Sequence, residues 1–372
     1  MAGINTYIKE YGDKTFNEEK FNEIDNVILS SVVYLNFDGI VPKNKKSISL
    51  CEAGNIFLYK YNYFDVSKLG IAQKVSYKIL KQIVNTKRYK DIQMYNYKYI
   101  WDTDTQFGAV CFKVKKKFIY VAFEGTDNLL SGWKEDFQMA YEFPVPSQKL
   151  AVKYLNENIK LFDKNIIVGG HSKGGNLALV GAIRTTILKK LAIKEIYSFD
   201  GPGLREKEFE SLNYKLVKSK LHNIIPNESL VGVLFNQENL DVVKSSEVGI
   251  MQHAANTWQV EDDRFVRTTK SDLSDNLDKA IYDWLFNYDL ETRKLIIDET
   301  FGLLEKSNIK RVSDISENYL KSLFEILKAS KTLDNKSKLV IFNCLKLLST
   351  TLSKTLINME LTKLKEKINF NK

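Results

Sequence analysis

A serine between two glycines is the feature of this 372-residue sequence that most directly suggests chemistry. Ser172 occupies the centre of the pattern Gly170-x-Ser172-x-Gly174. A strand-like apolar run, residues 165–169, leads into the pattern, and a helix-like run, residues 176–191, follows it. A sharp strand-to-helix turn exposes a serine hydroxyl, requires small neighbours, and directs the positive end of the helix dipole at developing negative charge. The pattern therefore predicts a nucleophile elbow, in which Ser172 attacks an acyl carbonyl.

The same segment could instead be a glycine-rich turn in which Ser172 caps the following helix. Two phosphate-binding patterns are excluded, because neither the Walker A spacing G-x-x-x-x-G-K-[ST] nor the dinucleotide spacing G-x-G-x-x-G is present. In the elbow interpretation, His171 and Gly175 complete the turn. His171 is then expected to pack or to form hydrogen bonds, since the turn directs neighbouring side chains apart.

A serine nucleophile requires an imidazole base, and only two histidines follow Ser172 in the chain. His253 lies in a loop-like stretch after the strand-like run 241–246. His222 begins another strand-like run, residues 221–226, and is expected to be structural. A late loop beyond the last strands is the usual position of the base in such a sheet, so we predict that His253 is the base.

The third member of a triad is a carboxylate between the serine and the histidine in chain order. Asp200 follows one predicted strand, and Glu228 follows the next. Both positions are strand C-termini, where catalytic groups gather in open α/β sheets. Asp200 could also be a turn residue before Gly-Pro-Gly. The residue pattern leaves both candidates open.

The oxyanion of a tetrahedral intermediate requires hydrogen-bond donors. The backbone N–H of Lys173, directly after the serine, is one candidate. Thr126, at the end of the strand-like run 118–123, could donate through its backbone and its hydroxyl, or could be an ordinary polar strand end. Residues 128–142 form an amphipathic segment that could cover the site.

The elements that must position these residues follow from hydrophobic periodicity. Between residues 105 and 260, short apolar runs alternate with helical stretches, which predicts an α/β fold with a mostly parallel central sheet. Upstream, Thr15 and Glu18 have the spacing of a capping box, and apolar residues recur at helical spacing from Phe21 to Leu35. This predicts an amphipathic core helix that begins near Thr15.

The C-terminal part of the chain has no strand signals. We divide the chain into a catalytic domain, residues 1–270, and a helical extension, residues 271–372. Helical patterns cover residues 272–306 and recur near 316–330 and 336–368. Residues 321–372 carry 11 Lys/Arg and 4 Asp/Glu, so the excess positive charge of the chain is concentrated there. The lysines of this segment are interpreted as a solvated helical face. Its apolar side is expected to pack on the catalytic domain or a partner, with peripheral membrane contact as the alternative. Its deletion is predicted to leave the triad intact.

Composition excludes several classes of protein. The apolar fraction is 44% and the aromatic fraction 12%, which is sufficient for a large core and excludes general disorder. No run approaches 18 apolar residues, and the first residues lack the apolar region of a signal peptide. The three cysteines are widely separated, which predicts neither a disulfide framework nor a metal motif and favours the cytoplasm. We expect no cofactor, no metal and no nucleic-acid partner, while the oligomeric state is left open.

The motifs together resemble a known group. The pairing of VAFEGTDN with IIVGGHSKGGNLA is similar to the lipase class 3 branch of the α/β-hydrolases. More closely, GGHSKGGNLA with FDGPG, IIPNESLVG and QHAANTWQV resembles a bacterial family of lipase-like α/β-hydrolases labelled a domain of unknown function. The similarity covers roughly residues 20–270 and implies an α/β-hydrolase fold.

The resemblance also implies roles for individual residues. Ser172 matches the nucleophile, Thr126 the oxyanion donor and His253 the base. Glu228 matches the acid better than Asp200 does, because the lipase acid follows the second strand after the serine. The sequence departs from the lipase pattern at three sites: Glu228 replaces Asp, Glu124 replaces Arg, and Lys173 replaces Leu. The last two are expected to change the charge at the site mouth.

The expected function is hydrolysis of a carboxylic ester, from a small molecule or a lipid, through a Ser172-His253-Glu228 triad. Two alternatives use the same fold. A catalytically silent protein could bind partners through its basic helical C-terminus. An acyltransferase or thioesterase would use the same triad with another acceptor or leaving group.

Overall fold

The computed structural model describes residues 2–62, 69–102, 105–127, 129–160, 163–272, 274–275 and 288–306. The chain divides into two compact units. The first comprises residues 1–127 and 143–286, and the second comprises residues 128–142 and 287–372. The predicted helices near 316–330 and 336–368 lie outside the described residues, as does the whole segment 321–372.

The first unit contains an eight-stranded sheet whose strands follow chain order. The strands are β1 (Ile48–Ser49), β2 (Gln93–Trp101), β3 (Gln106–Lys115), β4 (Phe118–Phe123), β5 (Ile166–His171), β6 (Ile193–Phe199), β7 (Leu221–Pro226) and β8 (Leu240–Val243). Strands β1 to β4 pair antiparallel, whereas β4 to β8 pair parallel. A separate hairpin pairs β9 (Val260–Glu261) with β10 (Arg264–Phe265). The parallel strands β4 to β7 therefore present their C-terminal ends at one edge of the sheet, where α/β proteins place catalytic groups.

Helices cover both faces of this sheet. Those of the first unit are α1 (Ile4–Tyr11), α2 (Glu23–Val32), α3 (Leu50–Asn62), α4 (Ile71–Ile83), α6 (Pro146–Asn158), α7 (Lys173–Arg184), α8 (Ile187–Ala192), α9 (Glu206–Phe209) and α10 (Leu212–Lys215). The second unit contains α5 (Leu130–Gln138) and α11 (Leu290–Lys306). None of these described helices has the length and apolar character needed to cross a membrane.

The strand β4 shows why the sheet is buried on both faces. Tyr120 and Ala122 point into one core, which they share with residues of α1 to α4. Val121 and Phe123 point into the other core, which they share with residues of α6 and α7. Alternate side chains of a strand face opposite sides of a sheet, so a strand covered by helices on both sides is apolar throughout.

The start of the N-terminal core helix differs from the prediction. Thr15 and Glu18 do interact, since the Thr15 N–H and hydroxyl each donate to Glu18 Oε2 at 2.7 Å. These hydrogen bonds lower the pKa of Glu18 to about 2. However, they close an isolated turn, and α2 begins only at Glu23. Its N-cap is Asn22, whose side chain accepts from the backbone of the first turn and forms a capping box with Asp25.

A buried ion pair holds this N-terminal layer together. Arg88 donates to Asp25 Oδ2 at 2.6 Å, and both side chains are fully buried. Tyr89 also donates to this carboxylate, at 2.6 Å. The Arg88 Nε–H donates to Asp25 Oδ1 at 2.8 Å, and the terminal N–H groups also donate to the backbone carbonyls of Lys14, Glu19 and Lys20. The charged groups of the pair thus have hydrogen-bond partners within the protein. The pair connects α2 to the segment before β2.

The second unit joins two segments that are distant in sequence. Phe137 of α5 packs against Phe301 of α11 with their ring centroids 5.5 Å apart. Tyr141 donates to Asp298 at 3.0 Å, and Lys134 pairs with Glu305 at 2.9 Å. Residues 128–142 thus pack with α11, while the predicted domain boundary after residue 270 stays a prediction. Their interpretation as a cover over the site stays a prediction.

Candidate active site

Ser172 lies at the turn between β5 and α7, with a φ of 58° and a ψ of −133°. A non-glycine residue adopts this left-handed backbone only when its surroundings impose it, at a cost of about 1–3 kcal/mol. Here the Ser172 N–H donates to the Phe199 carbonyl at 2.9 Å, and the Ser172 carbonyl accepts from the Gly175 N–H at 2.9 Å. The elbow that the sequence predicts is thus present as a strained strand-to-helix turn.

Close backbone contacts explain the glycines around Ser172. A Cβ atom on Gly170 would lie 2.3 Å from the Gly174 carbonyl carbon, and one on Gly174 would lie 2.3 Å from the Phe123 oxygen. A Cβ atom on Gly175 would lie 2.6 Å from Ser198 Oγ. Carbon atoms do not approach this closely, so the strands β4 and β5 and the helix α7 can meet only if these positions have no side chain.

Asp200, not Glu228, lies against the histidine. His253 Nδ1 is 2.6 Å from Asp200 Oδ2. The other oxygen, Oδ1, accepts from the Ser229 hydroxyl and from the Gly232 N–H at 3.0 Å. Because a carboxylate can only accept hydrogen bonds, Nδ1 of His253 must be the donor in this contact. Neutral His253 then has its lone pair on Nε2, which is the atom that a base uses to accept the serine proton.

Glu228 instead holds the loop that carries His253. Its Oε2 accepts from the Gly249 N–H and from Gln252 Nε2, the latter at 3.0 Å. Its backbone N–H donates to Gln252 Oε1 at 3.1 Å. The expectation that Glu228 orients the imidazole therefore does not match this placement. The physical reason is strand order, because Asp200 follows β6, which is adjacent to β5, whereas Glu228 follows β7, one strand farther from Ser172.

The segment with Ser172 is tied both to the segment with Asp200 and to the loop with His253. Phe199, directly before Asp200, accepts the Ser172 N–H. His171, directly before Ser172, places its Nε2 2.6 Å from the His253 carbonyl, and the two imidazole centroids are 4.6 Å apart. Within the described part of the chain, no hydrogen bond joins Ser172 Oγ to His253 Nε2. Catalytic hydrogen bonds of this kind are often long before substrate binds.

His171 has a defined tautomer in this arrangement. Because the His253 carbonyl can only accept, His171 Nε2 must carry the proton. Its Nδ1 is then an acceptor, and the Tyr34 hydroxyl lies 3.0 Å away as donor. Desolvation, together with the neighbouring His253, lowers the pKa of His171 to about 3. The expectation of a hydrogen-bonding role matches this geometry, whereas the link from Tyr34 to the His253 loop has no signal in the sequence.

His222 lies far from this cluster. It occupies the start of β7, at the opposite edge of the sheet from Ser172, and stacks on Tyr197 with ring centroids 4.4 Å apart. Its Nε2 is 3.8 Å from Glu195 Oε2. This placement agrees with the structural role expected from the sequence.

The predicted oxyanion donors follow two adjacent strands, β4 and β5. Lys173 is the first residue of α7, so its N–H lies in the first turn, where helix N–H groups have no intrahelical acceptor. Thr126 follows β4, which pairs with β5 in a register that sets Phe123 opposite Gly170. The intervening Gly125 has no room for a Cβ atom, which would lie 2.5 Å from the His171 carbonyl oxygen. The segment with Thr126 thus runs directly along the elbow.

The comparison with known proteins can now be made. A family model for Mbeg1-like proteins matches residues 83–302, which is more than half of the chain. The chain belongs to the Mbeg1-like family. This confirms the lipase-like family inferred from the motifs, and the α/β-hydrolase fold with it. The chain is therefore a lipase-like hydrolase in the broad sense.

Among solved structures, the crystal structure of M37 lipase is similar to this chain. The TM-score is 0.31 and the sequence identity 16%, over 56% of this chain and 68% of that one. No curated protein matches the chain.

In this Mbeg1-like chain, two departures from the lipase pattern lie together in the interior. The side chains of Glu124 and Lys173 are 2% and 1% exposed, so they do not change the charge at the site mouth as expected. Lys173 Nζ donates to the Gln106 carbonyl at 3.1 Å, and Gln106 Nε2 donates to Glu124 Oε1 at 3.4 Å. The Gln106 side-chain oxygen accepts from the Asp127 N–H at 3.5 Å. Gln106 thus links the residue after the nucleophile to the residue after Thr126.

Glu124 occupies an unusual position within this polar cluster. Burial raises its pKa well above the usual range, and the nearby Asp127 raises it further, while Lys173 opposes the shift. In the described part of the chain, Glu124 Oε2 has no hydrogen-bond partner. The described residues also contain no group of three or more His, Cys, Asp or Glu side chains placed to hold a metal ion.

Proposed function

We propose that this Mbeg1-like chain is a serine hydrolase that cleaves a carboxylic ester through an acyl-enzyme. One combination supports the proposal above all others. Ser172 is held at positive φ on a nucleophile elbow, and the Asp200–His253 pair lies on the two segments tied to that elbow. The catalytic acid in this proposal is Asp200.

In the first half-reaction, Ser172 Oγ forms a bond to the acyl carbon while His253 Nε2 takes its proton. Asp200 holds the imidazole by its Nδ1–H and stabilises the cation that forms. The backbone N–H groups of Lys173 and Thr126 donate to the oxyanion. When the intermediate collapses, the bond to the leaving oxygen breaks, and His253 delivers the proton to that oxygen.

In the second half-reaction, water attacks the acyl-enzyme. His253 takes a proton from this water as the new bond to carbon forms, and it returns the proton to Ser172 Oγ as the acyl–serine bond breaks. The products are a carboxylic acid and the free enzyme. The substrate class is a carboxylic ester of a small molecule or a lipid.

The proposal is tested by labelling the purified protein with a fluorophosphonate, which reacts with activated serines. Mass spectrometry locates the label. The wild type should be labelled at Ser172, and both Ser172→Ala and His253→Ala should abolish labelling. His222→Ala is the matched control, because this histidine lies at the other edge of the sheet, and its labelling should equal that of the wild type.

Three outcomes would replace the proposal. Absence of labelling in folded wild-type protein would favour a catalytically silent binding module. If Ser172 is labelled, but the protein transfers the acyl group of an activated ester mainly to a competing alcohol or amine and not to water, the chain is an acyltransferase. A marked preference for thioesters over oxygen esters would identify a thioesterase.

A further inference from the structure

The edge of the sheet opposite the candidate site has a distinct surface. Parallel strands β4 to β7 begin at this edge, so the segments that precede them lie side by side. The helix α8 leads into β6, and α10 with the 3-10 turn Lys218–Lys220 leads into β7. Lys220 Nζ donates to the carbonyls of Lys190 and Ile193 at 2.8 and 2.7 Å, which joins the two segments into one surface. We call residues 187–194 and 211–220 the lysine–leucine edge.

Large apolar side chains of this edge are exposed to solvent. Their exposed fractions are 53% for Ile187, 53% for Leu188, 70% for Leu191, 79% for Leu212 and 55% for Leu216. The buried side chains of the same segments, Ala192, Tyr214 and Val217, already fill the core beneath them. Exposed leucines grouped on one surface indicate a contact with an apolar partner.

The two segments of this edge carry only positive charge, although Glu195 and Glu210 directly flank them. The two segments contain six lysines and no acidic residue. Lys194, Lys215 and Lys218 are exposed, and Lys218 pairs with Glu238 at 3.3 Å. The positive charge continues along the sheet, since exposed Lys116 and Lys117 precede β4 and exposed Lys160 and Lys164 precede β5, with Asp163 between them.

We propose that the lysine–leucine edge docks the protein on an anionic phospholipid bilayer. Lysines attract the negative headgroups, and the leucines enter the region between headgroups and acyl chains. A nucleic acid would use the lysines but would gain little from exposed leucines. This surface belongs to the first unit and includes no residue of the basic segment 321–372. Because it lies at the edge opposite Ser172, binding should not depend on catalysis.

The test uses the full-length protein and sedimentation with two kinds of vesicle, pure phosphatidylcholine and phosphatidylcholine with 30% phosphatidylglycerol. The wild type should bind only the anionic vesicles. Each lysine near an anionic surface contributes about fivefold in affinity. The double variant Lys194→Glu/Lys215→Glu should therefore bind at least about 25-fold more weakly. The double variant Leu191→Ser/Leu212→Ser should lose about tenfold or more.

Matched control variants carry the same changes elsewhere in the first unit. Ile56→Ser/Trp101→Ser removes two exposed apolar side chains, and Lys45→Glu/Lys46→Glu reverses two exposed charges. Both controls should bind like the wild type. Ser172→Ala should also bind like the wild type, which separates this inference from the proposed hydrolase activity. All edge variants should keep wild-type thermal midpoints.

Several results would overturn the proposal. Wild-type protein that ignores anionic vesicles, or binds both kinds equally, would exclude an anionic bilayer as the partner. Edge variants that bind like the wild type would place any membrane contact elsewhere in the chain. A nucleic acid would be the partner if the wild type binds a single-stranded oligonucleotide but neither kind of vesicle. In that case the variant Leu191→Ser/Leu212→Ser should bind the oligonucleotide as well as the wild type does.

Discussion

Replacing Asp200 by asparagine should remove most of the proposed activity without changing the fold. Asp200 Oδ1 accepts from Ser229 and Gly232, so the amide oxygen of asparagine should take that position. The amide nitrogen then faces His253 Nδ1, where the native Oδ2 lies at 2.6 Å. Because this nitrogen is a donor, His253 must carry its proton on Nε2. An imidazole in that tautomer cannot accept the Ser172 proton.

The size of the effect follows from this tautomer. Loss of the correct tautomer in a serine–histidine–aspartate triad lowers turnover by roughly 10³–10⁴-fold, which corresponds to about 4–5.5 kcal/mol of transition-state stabilisation. Glu228→Gln is the matched variant. Its Oε1 can still accept from the loop of His253, so the activity should fall by less than about tenfold.

The assay is kcat/KM for a short-chain p-nitrophenyl ester, together with the rate of fluorophosphonate labelling at Ser172. Thermal midpoints of both variants report whether the fold is intact. The reasoning is refuted if Asp200→Asn retains activity within tenfold of the wild type while Glu228→Gln loses about 10³-fold, because Glu228 would then be the catalytic acid.

Three further predictions concern groups that support the site and the fold. His171 has a pKa of about 3 in the folded protein and about 6.5 when unfolded, so the unfolded state binds an extra proton between these values. As the pH decreases from 6.5 towards 4, the free energy of unfolding of the wild type should therefore fall relative to that of His171→Gln, by up to about 1.4 kcal/mol per pH unit. Urea titrations at several pH values measure this difference, and the same pH dependence in both proteins would contradict the shift. Arg88→Met should lower the free energy of unfolding by about 3–5 kcal/mol, because it leaves the Asp25 carboxylate buried without its cation. Lys87→Met, which removes an exposed pair with Glu18, should leave the unfolding midpoint nearly unchanged, and equal effects of the two variants would refute the role of burial. Lys173→Met and Glu124→Gln should be coupled, so that the double variant loses about 1–3 kcal/mol less than the sum of the single variants, and strict additivity in urea unfolding would exclude an interaction.

The two buried groups beside the elbow matter for how the oxyanion donors are held. Lys173 provides its N–H to the proposed oxyanion site, while its side chain is anchored on the Gln106 carbonyl. Gln106 also holds the Asp127 N–H, next to Thr126. The cluster therefore connects both donors through one residue of β3. Rigid donors stabilise an oxyanion more effectively than mobile ones, because no reorganisation is needed during the reaction.

Features that depend on local pattern could be predicted from one sequence. The elbow at Ser172 follows from an apolar strand, two glycines and a helix, all within about twenty consecutive residues. The parallel half of the sheet follows from the alternation of apolar strands with helices. Hydrophobic periodicity and turn chemistry act between neighbours in the chain, so one sequence is sufficient to predict them.

The start of α2 shows where local pattern is misleading. Thr15 and Glu18 satisfy the capping-box spacing and do form the expected hydrogen bonds. Nevertheless, the chain between them and Glu23 turns away, and Asn22 caps the helix instead. The carbonyls of Lys14, Glu19 and Lys20 accept from Arg88, a residue far along the chain. A contact over such a distance in sequence cannot be read from spacing alone.

Which carboxylate lies against His253, Asp200 or Glu228, depends on the three-dimensional fold. Both follow parallel strands and both precede His253 in the chain, so their spacing is equally suitable. The distinction arises because β6, and not β7, pairs directly with β5. The same holds for the partners of His171, Lys173 and Glu124, which come from β3 and the segment with Tyr34. Hydrogen bonds and burial depend on distance in space, and the fold brings these residues together across 18 to 137 positions of sequence.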